Sequence, residues 1–413
     1  MLLDTFAYRT LKTYDYCKLL LWIPKVLLET IFLWPTTKNH ELKSTFACIV
    51  NVLIMTFIEI GLFLNLSSVD SIPRLVFIMS LVLGAFQSIY KILIIWYKAK
   101  YVKDLIDDVM TKFWPYDLIE GKVKEDIRRF YVIFTCIMTP LVGVGLCWGI
   151  GFLIPPYFFR KLPFPIEYGF EWSTTPTYEI LYIIQSFGYQ VVMLCGVCGT
   201  DTLFISIGAS AVTQYRILHQ CLASLNKEDM VNINNKLDKF VDRDLTKSHD
   251  RVKEFFVRCL KHHQLLLEFT GKINNAFGLV VLIQLSCSVA GICVAALLVS
   301  RPDFSADLIF FTCILVVAYL NQLLIYCIIG NQLYYEASLL PESIYASNWI
   351  ELKDKTMKKD VMFLIHHSQQ IPKLSAYSLY NVDMNSYLKV VKLAFSVYTL
   401  LLKLQDKQAN KIE

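Results

Sequence analysis

The sequence has few charged residues, since Asp, Glu, Lys and Arg make up only 18% of its 413 positions. Soluble domains ordinarily carry about 25%. Hydrophobic residues supply 55% of the chain, and the mean hydropathy is +0.47. This shortage of charge excludes an ordinary soluble domain and predicts a polytopic membrane protein, because side chains that face lipid must be apolar.

The sequence also lacks an external disulfide framework and a recognisable catalytic constellation. The twelve cysteines all fall in apolar runs or in segments expected to face the cytoplasm, so no external disulfide framework is indicated. In the CGVC stretch at 195–198, small residues that ease helix packing are favoured over a metal or redox role. No catalytic constellation can be recognised, so we expect no enzyme, no metal and no cofactor.

Apolar runs long enough to span a membrane are what the sequence has instead. A hydrocarbon core of about 30 Å requires roughly 20 residues of helix. Six runs meet this length, at 44–66, 73–97, 130–155, 178–212, 275–299 and 308–330. An earlier run at 19–35 is interrupted by Pro24, Lys25 and Glu29, which predicts an interfacial or partly re-entrant helix.

A seventh run, at about 386–402, carries a polar stripe. The stripe residues follow one another at spacings of three and four, which places them on one face of a helix. They are Asn385, Lys389, Lys392, Ser396, Thr399 and Lys403. The stripe indicates a pore, but the lysines could instead reach the two membrane surfaces while the hydroxyls pack against neighbouring helices.

The basic residues predict an orientation. About three quarters of the Lys and Arg residues lie in the N-terminal segment and in the loops 98–129, 213–273 and 331–385. This asymmetry places the N-terminus in the cytoplasm and, with seven spans, the C-terminus outside, which is opposite to a G-protein-coupled receptor. The one glycosylation sequon, at Asn65, falls on the predicted outer side.

Charged residues inside the runs are expected at the membrane surfaces. The run 178–212 is longer than a bilayer requires, so Asp201 is expected to be solvated on a cytoplasmic extension. Glu59 and Lys91 are expected to reach the outer and the inner surface, respectively. No acid and base should then meet in the middle of the membrane, which disfavours a proton-coupled transporter.

The C-terminal part of the chain resembles the insect odorant receptors. The segments HHQLLLEFTGKINNAFG (262–278) and YCIIGNQL (326–333) are similar to that family's patterns at its fifth and sixth helices. Further resembling positions are Ser343, Tyr345, Ser347, Trp349, Ile371, Pro372, Ala376 and the stretches 379–387 and 395–400. The long insertion of the family's co-receptor before the fifth span is missing, so the chain resembles an odour-tuned subunit.

The resemblance implies an odorant-gated, non-selective cation channel in the plasma membrane of olfactory neurons. The expected partners are a small volatile odorant, co-receptor subunits in a heterotetramer and the lipid bilayer, with no nucleic acid. The last helix would line a central pore through Ser396, Thr399, Leu400 and Lys403, with Leu400 as a hydrophobic constriction. A metabotropic receptor and a membrane transporter remain as alternatives.

The resemblance also implies a ligand site in the outer half of the bundle, among spans two, three, four and six. The candidate residues at this site are mostly apolar, which suits a small apolar guest, and Ser80 is the expected hydrogen-bond donor. Each aromatic residue could equally be packing the bundle. The candidate ligand-binding residues are Phe77, Ser80, Gly84, Trp148, Phe152, Ile183, Phe187, Phe311 and Leu315.

The predicted architecture is all-α, with seven transmembrane helices and a cytoplasmic helical anchor bundle. Apolar residues between Phe255 and Phe269 predict a packing face in that bundle. The chain would divide into a cytoplasmic N-terminal segment (1–43), spans one to four (44–212), a cytoplasmic loop with helix extensions (213–273), spans five and six (274–330), an anchor segment (331–385), and a pore helix with a short external tail (386–413).

Overall fold

The structure is almost entirely helical. This computed structural model describes residues 16–35, 41–66, 72–164, 166, 168, 170–238, 250–299, 306–377 and 379–409. Their helices are α1 (Tyr16–Thr30), α2 (Glu41–Asn65), α3 (Ile72–Tyr97), α4 (Ala99–Thr111), α5 (Lys122–Phe158), α6 (Thr177–Ala223), α7 (Glu228–Leu237), α8 (Arg251–Val299), α9 (Ala306–Ser338), α10 (Leu340–Tyr345), α11 (Lys355–Ser368) and α12 (Met384–Ala409). Two short 3₁₀ turns cover Tyr116–Leu118 and Trp349–Glu351.

Each of the seven predicted runs coincides with one long helix. Among the described residues, five helices are apolar and long enough to cross a membrane, namely α2, α3, α6, α8 and α9. The runs at 130–155 and 386–402 correspond to α5 and α12, and their status as spans stays a prediction. Apolar run length therefore located the helices, because a long uncharged stretch in a membrane has to satisfy its backbone internally.

Helix α8 extends far beyond the membrane. Its 49 residues make a helix of about 74 Å at 1.5 Å per residue, more than twice the hydrocarbon thickness. The charged residues Arg251, Lys253 and Glu254 lie in its first turns. The predicted packing face in this half is buried, with Phe255 and Phe269 both fully inaccessible. These turns build a helical bundle next to the membrane segments.

Helix α1 packs along α6 instead of standing apart from the bundle. Its residues Leu20 and Leu28 are buried. The Ser206 hydroxyl on α6 donates a hydrogen bond of 2.8 Å to the Leu20 carbonyl. The charged residues Lys25 and Glu29, which interrupt the apolar run, lie on the exposed side and form an ion pair at 3.8 Å. Because Lys25 and Glu29 point away from α6, helix α1 can pack against the bundle without burying these two charges.

A short hairpin leads into α12. Strand β1 (Ser375–Ala376) pairs antiparallel with β2 (Tyr380–Asn381). The hairpin is fixed to α8 by Asn274, whose amide donates to the Lys373 carbonyl at 2.8 Å and whose oxygen accepts from the Ser375 N–H at 2.9 Å. Val382, the residue after β2, lies against Gly330 of α9. Helix α12 then packs along both α8 and α9.

Candidate functional site

The first part of the candidate site is the contact between α3 and α6. A Cβ atom on Gly84 would lie 3.5 Å from the Met193 sulfur, and one on Gly196 would lie 2.7 Å from the Ser88 hydroxyl. The Tyr189 hydroxyl donates to the Leu81 carbonyl at 3.2 Å. Small residues therefore bring these two helices close together around the middle of α3.

Ser80 already uses its hydrogen atom within this contact. Its hydroxyl donates to the Phe77 carbonyl one turn earlier, at 2.8 Å. A hydroxyl has a single donor, so a ligand at Ser80 would meet only acceptor lone pairs. Phe77 is half-buried, and Ser80 is buried. The sequence-based expectation that Ser80 is the donor has no support in this geometry.

The fourth predicted span contains a wide turn that the sequence did not reveal. Residues Ile184–Val191 form a π-helix, in which each turn holds one more residue than an α-helix. The extra residue changes which side chains point inward. Ile183 and Phe187, the predicted ligand residues, are 56% and 59% exposed, whereas Gln185 and Ser186 are fully buried. π-turns of this kind occur often at functional sites.

The wide turn is covered by the preceding loop. The Gln185 side chain accepts the Phe164 N–H at 2.8 Å and donates to the Tyr168 hydroxyl at 3.0 Å. Burial raises the pKa of Tyr168, so its hydroxyl stays neutral. By contrast, the Ser186 hydroxyl has no hydrogen-bond partner among the residues that the structure describes. Buried hydroxyl groups without a partner are uncommon in folded proteins.

For five of the other predicted positions, the structure describes only part of the surroundings. The side chains of Trp148, Phe152, Phe311 and Leu315 lie outside the described residues, although α5 and α9 include their backbones. Asn65 is buried at the end of α2, and Ser67 of its sequon is outside the described residues. Their roles stay predictions.

Helix α12 has a face that no other described helix covers. Ser396, Leu400 and Lys403 are exposed, and Thr399 is half-buried. The two hydroxyls donate to backbone carbonyls of their own helix, Ser396 to Lys392 at 2.9 Å and Thr399 to Ser396 at 3.0 Å. Their lone pairs therefore point outward as acceptors. On the opposite side, Val390 is buried against the helices of the same chain.

The expectation that Asp201 and Lys91 are solvated at the membrane surfaces is wrong. The two side chains form an ion pair in which Lys91 is 0% and Asp201 is 2% exposed. Helix length shows only how far α6 extends, and it does not show that α3, α8 and α9 surround it at this level. The signal in the sequence for this ion pair is an acid and a base that each interrupt an apolar run.

Four helices contribute to the polar group around this ion pair, which we call the Lys91 cluster. Asp201 accepts hydrogen bonds from Lys91, from Gln322 at 2.5 Å and from Tyr326 at 2.5 Å. Lys91 also donates to Gln284 at 2.8 Å. The members are Gln87 and Lys91 of α3, Asp201 of α6, Gln284 of α8, and Gln322 and Tyr326 of α9, linked by a continuous set of hydrogen bonds.

These features define an all-helical, multi-pass membrane protein with a helical bundle beside its membrane segments. The model of the 7tm Odorant receptor family matches residues 72–395. The chain therefore belongs to the odorant receptor family.

Relatives from Drosophila melanogaster agree with this assignment. Odorant receptor 13a is 23% identical over 75% of both chains, and Odorant receptor 85c is 21% identical over 86% of this chain and 89% of the relative. The match to Odorant receptor 98a is 27% identical but spans only 43% of that receptor's length.

The fold is similar to that of the insect olfactory receptor OR5 from Machilis hrabei. The TM-score is 0.74, with 95% of this chain and all of the other chain covered, at 11% sequence identity. The same receptor solved in complex with eugenol superposes with a TM-score of 0.72. At this identity the similarity concerns the fold alone.

Proposed function

We propose that this chain is an odour-tuned subunit of an odorant-gated, non-selective cation channel. It assembles with co-receptor subunits as a heterotetramer in the plasma membrane of olfactory sensory neurons. Seven helices cross the membrane, with the N-terminus in the cytoplasm and the C-terminus outside. The observation that carries the proposal is the uncovered face of α12 in a member of the odorant receptor family.

An uncovered polar face needs water or other subunits around it. Ser396 and Thr399 present acceptor oxygens, and Lys403 presents a charge, on a helix that the described part of the chain covers on one side only. In hydrocarbon such groups are costly. A ring of these helices around a water-filled pore removes this cost. Leu400, which is 57% exposed, would narrow the pore with an apolar side chain that expels water in the closed state.

The ligand site lies between α3 and α6, near the wide turn. In this proposal Phe77 and Gly84, which share one face of α3, line the site, and Ser186 of the wide turn supplies the hydrogen-bonding group. The odorant receptor OR5 was solved with eugenol, which supports a small, largely apolar guest. About ten buried methylene groups at roughly 0.8 kcal/mol each, reduced by the cost of immobilisation, give micromolar or weaker affinity.

The experiment is a whole-cell recording from cells that express this chain with and without an insect odorant co-receptor. The panel consists of volatile esters, alcohols, aldehydes and phenols, and surface labelling measures the amount of receptor. We expect an odour-evoked cation current only when both subunits are present. Surface-expressed pairs that stay silent across the panel, or that raise a second messenger without current, would contradict the proposal.

The pore assignment is tested in the same cells by Leu400→Ser. Removing the apolar constriction should raise the current without odorant several-fold, because a polar wall holds water in the closed pore. Val391→Ser is the matched control, since residue 391 is a half-buried valine two and a half turns before Leu400 and therefore lies on the opposite side of the helix. Equal ligand-free currents in the two variants would remove Leu400 from the pore.

A transporter is the second candidate function, and the Lys91–Asp201 ion pair is the observation in its favour. Intramembrane ion pairs often mark proton or substrate pathways. A transporter would show saturable uptake of a substrate that depends on Asp201, with no unitary channel currents. Unitary currents in membrane patches would exclude this alternative.

A further inference from the structure

The Lys91 cluster lies between the proposed ligand site and the proposed pore helix. On α3, Gly84, Gln87 and Lys91 are separated by three and four residues and therefore share one face. Gly84 lies against Met193 of α6, near the wide turn. A guest that separates or rotates α3 and α6 at this level must also move Lys91 relative to Asp201, because helices transmit such motions as rigid rods.

The other side of the cluster faces the hairpin that leads into α12. Gln284 and Tyr326 line a small cavity of about 20 Å³, whose opposite wall includes Val382 and Ser386. The hairpin has little freedom to slide there. A Cβ atom on Gly330 would lie only 1.9 Å from the Val382 carbonyl oxygen. Movement of Gln284 or Tyr326 is therefore passed to the start of α12.

The hydrogen bonds of the cluster suit it to two discrete arrangements. Asp201 accepts from donors on α3 and α9, and the Lys91 ammonium is shared between Asp201 and Gln284. Stability alone does not require such a group, because well-packed apolar residues can replace a buried ion pair at little or no cost. A buried charge that loses one partner must take another, so intermediate positions are unfavourable.

We propose that the Lys91 cluster couples occupancy of the ligand site to the position of α12. Binding between α3 and α6 shifts Lys91 relative to Asp201, the hydrogen bonds to Gln284 and Tyr326 rearrange, and the hairpin carries this change to the pore helix. Its residues are positioning residues that contact neither the odorant nor the conducted ion. This inference rests on the proposed channel function and adds its gating mechanism.

The test uses two mild substitutions that keep the shape of the cluster. Tyr326→Phe removes one hydrogen bond to Asp201, and Gln284→Leu removes one of the two acceptors of Lys91. Tyr319→Phe is the matched control, because Tyr319 is a buried tyrosine on the same helix, two turns away, with no part in the cluster. Each variant is recorded with the co-receptor, and currents are divided by the amount of receptor at the surface.

We expect both cluster variants to change the odorant concentration for half-maximal current, and the ratio of ligand-free to maximal current, by about tenfold. One lost hydrogen bond to a charged group changes an equilibrium constant by this amount or more. Tyr319→Phe should leave both quantities as in the wild type. A purely structural role would lower the amount at the surface without altering either quantity.

Two outcomes would contradict the inference in different ways. Wild-type current together with unaltered half-maximal concentration and ligand-free ratio in Tyr326→Phe and Gln284→Leu would remove the coupling role and leave the channel function intact. Absence of any current from surface-expressed wild-type pairs would contradict the channel function and this coupling with it. The double substitution Lys91→Met with Asp201→Leu completes the test. Loss of both charges should abolish the dependence of the current on odorant even when the variant and the co-receptor reach the surface.

Discussion

Ser186 of the wide turn and Ser80 of α3 both carry a buried hydroxyl group, but their hydrogen-bonding situations differ. Ser80 donates to a carbonyl of its own helix. Ser186 is fully buried, with no hydrogen-bond partner among the described residues. A polar group left in this state costs free energy that a ligand can recover. The sequence analysis favours Ser80 as the hydrogen-bond donor, whereas the local geometry favours Ser186.

Ser186→Ala should weaken the response to an activating alcohol or phenol by about fivefold in half-maximal concentration, which corresponds to one neutral hydrogen bond. The response to an apolar activator of similar size should change less. Ser80→Ala should have the smaller effect on the alcohol. Concentration–response curves for both variants decide the matter, and a larger loss in Ser80→Ala would reverse the assignment.

Buried histidines make the helical bundle beside the membrane sensitive to acid. His262 lies in the charged first half of α8, before the predicted span at 275–299. Its ring stacks on Trp114 at 3.9 Å and contacts the Gln214 side chain at 3.0 Å. Burial, with a contribution from His263, lowers the pKa of His262 to about 3. Burial also lowers the pKa of His263 to about 4. Both rings are neutral in the folded protein.

Because these pKa values are below the value of about 6.5 in the unfolded chain, the unfolded state binds more protons in acid. The contribution of the neutral rings to the free energy of unfolding is complete above about pH 6.5. Between that pH and the pKa of the folded state, each buried histidine lowers the free energy of unfolding by up to about 1.4 kcal/mol per pH unit. Thermal unfolding of the detergent-solubilised protein should show a lower midpoint at pH 5.5 than at pH 7.5.

His262→Gln should reduce this dependence on pH, because glutamine keeps a polar contact and does not titrate. The exposed His366 provides the control, and His366→Gln should retain the full acid loss. An unchanged difference between the two pH values in His262→Gln would show that other groups cause it.

At the scale of elements, the close approach of the hairpin to α9 depends on a glycine. A Cβ atom at residue 330 would overlap the Val382 carbonyl, which is backbone and cannot turn away. Gly271 of α8 has nothing within 4 Å of its Cβ position. The two glycines lie in helices and have the same intrinsic effect on helix stability, but their surroundings are opposite.

Gly330→Ala should lower the midpoint of thermal unfolding and the amount of protein at the surface, because the hairpin must move away from α9. Gly271→Ala should stabilise the protein by roughly 0.5–1 kcal/mol, the difference between alanine and glycine inside a helix. Differential scanning fluorimetry of the two variants measures both effects. Equal midpoints would show that the hairpin accommodates the methyl group.

At the scale of the whole molecule, the distribution of basic residues predicts which side of the membrane each terminus occupies. Epitope tags on the two ends test this directly. The C-terminal tag should bind antibody on intact cells, and the N-terminal tag should bind only after permeabilisation. An N-terminal tag that is accessible on intact cells would contradict the orientation and the pore assignment together.

The sequence by itself determined the class of protein and the course of its helices. Composition and the lengths of the apolar runs are local properties, and the bilayer fixes their meaning, because each span must be apolar and must satisfy its own backbone. The helices α3 and α9 begin within two residues of the predicted runs. The family pattern between Ser343 and Leu400 was equally readable, since it depends on residue identity in order along the chain.

Only the tertiary structure decided which polar groups meet. Lys91 and Asp201 are 110 residues apart, and their pairing depends on how α3 and α6 are rotated against each other. The π-helix at Ile184–Val191 inserts an extra residue and so changes how α6 is rotated against its neighbours. No local sequence pattern predicted this turn. The polar stripe of α12 was predicted from spacing, but its uncovered position follows from packing. Such relations depend on contacts between distant segments, and run length and composition do not encode them.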